Sequence, residues 1–163
     1  MSEPATAAGR PHPQTEVLLA ILANQMARTD ACLEGLTPAN LDAPPGGDCQ
    51  SIRGIIGHLL QLRGFQLLLL ESPLQAQAPK LAPSASLDEI SQALARAAEL
   101  VRTAVKSHDP ADWYATPQQE RPGPWGNDPT LIRFSRPLND FTNHLGAIRA
   151  IRRMLGNPAA RTQ

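Results

Sequence analysis

At 163 residues, with Lys plus Arg equal to Asp plus Glu at 15 each, the chain is sized for one domain with one core and carries no net field to draw a polyanion. That balance excludes nucleic acid as an expected partner. No apolar run approaches the roughly 18 to 20 residues a bilayer demands, and no basic segment leads into an apolar one at the N-terminus, so no membrane association and a cytoplasmic location are expected.

Residues 1–13 mix Ala, Gly and Pro without periodicity, which predicts a disordered tail that includes His12. From Gln14 to about Leu36, Val17, Leu18, Ile21, Leu22, Met26, Leu33 and Leu36 keep helical spacing, and Thr37-Pro38 stops the run. Pro44-Pro45-Gly46-Gly47 must turn. Ser51 is the expected N-cap of a second helix, whose stripe of Ile52, Ile55, Ile56, Leu59, Leu62, Phe65 and Leu69 runs to about Glu71, with His58 projecting between Leu62 and Phe65. The two cysteines neither form a disulfide framework nor match a zinc-ligand spacing. Cys32 reads as a small buried hydrophobe; Cys49, at a helix N-terminus, stands about 14 Å of helical rise from His58.

A Pro/Ala/Ser connector from Ser72 to Ala85 precedes Ser86-Leu87-Asp88-Glu89, a capping-box signature. It opens a third helix with Ile90, Leu94, Ala97, Val101 and Val105 inward, ending near His108-Asp109-Pro110, where His108 reads as a terminal residue complementing the helix dipole. Between Pro110 and Thr130 a proline-rich stretch carries Trp113, Tyr114 and Trp125, half of the chain's aromatic residues, and predicts a long ordered loop, either a lid over a pocket or a cap on the end of the bundle. The last helix runs to about Leu155 and stops at Gly156. Pro137 sits either in a first turn after Ser135 or as a kink in a helix begun near Thr130. Arg149, Arg152 and Arg153 read as structural cations keeping the outer face of the last turns wet. Residues 159–163 form a short C-terminal tail.

Four amphipathic helices without a strand predict an all-α protein: an antiparallel four-helix bundle over residues 14–158, with the long ordered loop before the last helix. Simple alternation would send the second and fourth helices the same way; the connector also permits a crossed topology. On the last helix, Asp140, His144, Ala147, Ile148, Ile151 and Leu155 share a face, with Thr142, Arg149 and Arg153 opposite. Asp140 and His144 are thus expected to aim at the core, as is His58 from the second helix. Buried imidazoles and a carboxylate need compensation. Two histidines and one carboxylate suit zinc, iron or nickel with positions left open; a buried Asp-His hydrogen bond accounts for the spacing equally.

The segments Ser51-Ile52-Arg53-Gly54-Ile55-Ile56-Gly57-His58-Leu59 and Leu138-Asn139-Asp140-Phe141-Thr142-Asn143-His144-Leu145-Gly146-Ala147-Ile148, with the terminal Leu155-Gly156, resemble the DinB/YfiT family of metal-binding helical bundles. The resemblance spans about Gln14 to Pro158. It implies a divalent metal, nickel or zinc, bound by one histidine of the second helix and a His-x-x-x-His pair of the fourth. His58 and His144 would inherit ligand roles, while Asp140 stands where the family has the first histidine of the pair. Gln50 stands where a tryptophan is common. The resemblance further implies a metal-dependent enzyme of S-transferase or hydrolase type acting on a small-molecule substrate, with a low-molecular-weight thiol such as bacillithiol or mycothiol, in a homodimer. The alternative is a catalytically degenerate, metal-free bundle serving as a dimeric scaffold or small-ligand binding module.

Overall fold

Helix boundaries follow local chemistry at nearly every position in the computed structural model, which describes residues 12–46, 49–116 and 126–158. The tail before His12, the loop stretch 117–125 with Trp125, and residues 159–163 lie outside the described residues. Helix α1 spans Pro13–Leu33, with its proline in the first turn, where the missing N–H costs nothing. The short α2, Pro38–Asp42, is capped by Thr37, whose hydroxyl accepts the Asn40 N–H at 3.2 Å. Helix α3, Ile52–Leu69, starts at Ser51, whose Oγ accepts from Gly54 N. Helix α4, Leu87–Ser107, opens on the expected reciprocal cap, with Ser86 Oγ accepting from Glu89 N and Glu89 Oε2 accepting from Ser86 N. Helix α5 spans Thr130–Met154 and carries a buried Pro137 in its interior, so the earlier of the two starts is the observed one. Short 3-10 turns at Pro73–Gln77 and Pro110–Trp113 follow α3 and α4. The described residues form helices and no strand.

Two apolar clusters fix the helix directions. One gathers Cys32 from the end of α1, Ile52 to Leu62 from the start of α3, Ile90 to Ala97 from the start of α4, and Phe141 to Ile151 from the end of α5. The other gathers Leu18 and Leu22, Leu67 and Leu70, Leu100 to Val105, and Phe134 with Leu138. Helices α1 and α5 therefore run one way and α3 and α4 the other. The closest neighbours are α3 with α5, α3 with α4, and α1 with α4 and α5. Simple alternation, which would align α3 with α5, does not hold: the connector between α3 and α4 returns the chain to the end where α3 began.

Several faces are rotated from the expected ones. In α1 the buried seam is Thr15, Leu18, Leu22, Gln25, Thr29 and Cys32, whereas Val17 and Ile21 are exposed. Polar members are admitted because they find partners: Gln25 Nε2 donates to the Leu138 carbonyl at 2.7 Å and to Thr142 Oγ1 at 3.1 Å. In α3, Arg63 and Gln66 are buried while Phe65 is 47% exposed. Arg152 does not keep a wet face. It is buried, and its guanidinium donates to Cys32 O, Asn157 O and Asn157 Oδ1 at 2.8 to 2.9 Å, tying the end of α5 to the end of α1. Arg149 touches Cys32, and Arg153 is exposed as expected.

His108 is likewise not a terminal cation. Its ring meets Trp113 edge to face at 4.4 Å, and burial lowers its pKa against the pull of Asp112, Asp109 and Glu71. Trp113 is fully buried and also meets Phe134 at 5.5 Å, so the first part of the loop caps this end of the molecule.

Candidate functional site

His58 and His144 meet. Their rings lie 4.6 Å apart between centroids at an interplanar angle of 78°, in the groove between α3 and α5. His58 is in the N-terminal half of α3 and His144 in the C-terminal half of α5, so the opposed directions bring them to one level. Both are half-buried, on the flanks of their stripes beside buried Leu62 and Leu145. His58 Nδ1 lies 3.4 Å from Gln61 Oε1, one turn along the same helix; the tautomer protonated at Nδ1 donates there and leaves the Nε2 lone pair available.

Asp140 is not aimed at the core. It is exposed, because the buried face of α5 is centred on Phe141, Leu145 and Ile148 with Leu138 and Arg152 beside them, one position round from the expected face. Thr142, expected on the outer side, faces α1 instead and accepts from Gln25. Asp140 still acts on the pair through its field. Burial and the neighbouring His58 push the His144 pKa down, and Asp140 opposes them. Both imidazoles thus converge as the sequence predicted, with the carboxylate at the solvent edge one turn away.

Two imidazoles are a good donor set for zinc or nickel, and here their rings stand 4.6 Å apart between centroids. Among the described residues, no group of three His, Cys, Asp or Glu side chains is positioned to hold a metal ion together. Cys49 is exposed, and Cys32 is buried, with its pKa raised by burial. A groove of about 630 Å³ runs along the other flank of α3, lined by Gly57, Leu60 and Gly64 and by the connector residues Ala78, Lys80 and Leu81. Gln61 lines it too and also lies beside His58 Nδ1.

The sequence reading passed over Arg63, which lies deeper on α3. Its guanidinium stacks on the Phe141 ring at 3.9 Å, in the turn of α5 that precedes His144. The available signal was an arginine at i+4 from Leu59 and i−4 from Leu67, inside an otherwise apolar stripe.

An all-helical architecture with a histidine pair between its second and last long helices defines the class of protein. The DinB superfamily profile matches residues 21–134, and the chain belongs to that superfamily. The matched stretch contains His58 and ends before Asp140 and His144. No curated protein and no solved structure matches the chain. No described helix is long and apolar enough to cross a membrane.

Proposed function

We propose that the chain is a divalent-metal-binding member of the DinB superfamily, a four-helix bundle with His58 and His144 as the two imidazole ligands and Asp140 as the third. The 4.6 Å approach of the two rings across the α3–α5 groove carries this reading. In it, Gln61 orients His58 by accepting from Nδ1, so that Nε2 faces the ion. Asp140 supplies charge from the solvent edge, where its side chain is free to turn toward His144. A bound ion of this kind is a Lewis acid that favours the thiolate of a low-molecular-weight thiol or polarises a substrate carbonyl. S-transfer or hydrolysis on a small molecule, in a homodimer, is the activity this reading assigns.

Elemental analysis of untagged protein tests it directly. Near-stoichiometric zinc or nickel is expected, lost in His144→Ala and in His58→Ala. Metal-free protein whose melting temperature does not respond to either ion overturns it.

The exposure of Asp140 favours one other reading, a metal-free bundle that binds a small ligand or scaffolds a dimer. There the histidine pair only packs, and His58→Leu leaves stability unchanged or raises it.

A further inference from the structure

The described residues that are buried and charged are all arginines: Arg63, Arg133 and Arg152. No aspartate or glutamate among the described residues is buried with them. Arg152 places its donors on carbonyl oxygens, as described above. Arg63 differs: 1% exposed, it makes one hydrogen bond, from Nη1 to Gln66 Oε1 at 2.9 Å, and rests on the Phe141 ring. Its Nε and Nη2 are buried without any acceptor, and so is the Nε2 of Gln66, which is itself fully buried. Burial lowers the Arg63 pKa to about 9, which leaves it cationic at neutral pH.

The geometry of the unpaired edge identifies what it recognises. The Nε and Nη2 hydrogens of a guanidinium point the same way and form its side-on fork. This protein uses that fork on its surface, where Arg53 Nε and Nη2 grip the two carboxylate oxygens of Asp42 at 2.5 and 3.0 Å. On Arg63 the same fork is buried, and Gln66 Nε2, one turn along α3 on the amide whose oxygen Nη1 holds, is a third buried donor without an acceptor. Three donors and a positive charge in an apolar surround call for a planar oxyanion. Phe141 covers one face of the guanidinium, and it and the α3 residues Leu59, Leu62 and Leu67 are all 8% exposed or less, which suits an anion of only a few atoms.

We propose that the core of this protein binds one small planar oxyanion, of formate or nitrate type, between the Nε–Nη2 edge of Arg63 and the side-chain amide of Gln66. The site is separate from the histidine pair and does not depend on a metal. The anion completes the charge of the core, so that folding and anion binding are linked.

The test uses the full chain, unfolded in urea and refolded in buffer without carboxylates or nitrate, with sodium formate as probe and formamide as its neutral isostere. Formate is expected to raise the melting temperature saturably, by about 5 °C at a hundredfold excess over its Kd, with no rise from formamide. Arg63→Met should fold and give no formate response. Gln66→Glu places a carboxylate beside Arg63 from within the chain; it should melt above the anion-free wild type and ignore formate. A wild type indifferent to formate overturns the proposal, as does an equal response in Arg63→Met. Should that variant fail to fold, a Gln66→Glu protein that melts lower than wild type and still responds to formate overturns it.

Discussion

Arg152 and Arg63 are both removed from water, yet they stand in opposite chemical situations. Around Arg152 the chain folds so that polar groups answer one another. The guanidinium caps the Cys32 carbonyl at the end of α1 and holds Asn157, whose amide donates to Gly35 O and Asn40 Oδ1. Gly156, at φ +70°, closes α5 there, with Asn157 N donating to Arg152 O and Gly156 N to Arg153 O. Around Arg63 most donors have no protein acceptor. A buried polar cluster that is complete within the chain belongs to the fold; one that is incomplete marks where something from outside enters the energetics.

The largest effect expected is at the complete cluster. Arg152→Met removes the cap on Cys32 O and both contacts to Asn157 and should cost about 3 kcal/mol by urea denaturation. Arg63→Met, compared with anion-free wild type, should lie within about 1 kcal/mol of neutral or be stabilising. Equal losses at the two sites would break the comparison. Asn157→Ala, which strips the amide from the same cluster but leaves its backbone turn, should cost about 1.5 kcal/mol.

A smaller effect sharpens the contrast at the helix ends. Helix α3 closes with the same pair of bonds, Ser72 N to Leu67 O and Glu71 N to Leu68 O, yet its left-handed position is Glu71, at φ +51°. Strain at a non-glycine residue there costs about 1 to 2 kcal/mol, more than an exposed side-chain contact returns, so Glu71→Gly should stabilise by about 0.5 kcal/mol. The smallest effect is on pH dependence. The folded pKa of His108 lies below its ordinary value, so the unfolded chain binds the proton more readily. Stability should therefore fall as pH drops through about 6.5 and level off below the folded value. His108→Phe should flatten that part of the profile; an unchanged slope would show that His108 titrates normally.

Legibility of the fold and site divides along physical lines. Caps at Ser51 and Ser86 and the stop at Gly156 were readable because each is settled within a few residues. Helix direction was not, because a connector of that length closes either topology at similar entropy. The histidine pair was legible since both rings flank apolar stripes, and small errors in the wheel still leave them facing the groove. Asp140 was misplaced by the same small error, for one position of rotation carries it from the flank to the surface. Gln25, Thr29 and Arg63 were passed over, and Arg152 was assigned to the wet face, because the periodicity rule assumes that the buried stripe is apolar; Gln25 and Arg152 are buried for partners on other segments, the Leu138 and Cys32 carbonyls, that only three dimensions bring near.

Pro137 gives the last helix a built-in joint. Having no amide proton, it cannot donate the bond to the preceding turn that every other interior residue of a helix can give. The joint falls where α5 passes between the two apolar clusters, with Phe134 below and Phe141 above. The turns ahead of Pro137 are one bond short of being continuous with the rest, so their amide protons should exchange with deuterium sooner than those around His144. Opening of residues 130–136 would then uncover Trp113 and the lower cluster while leaving the histidine groove intact.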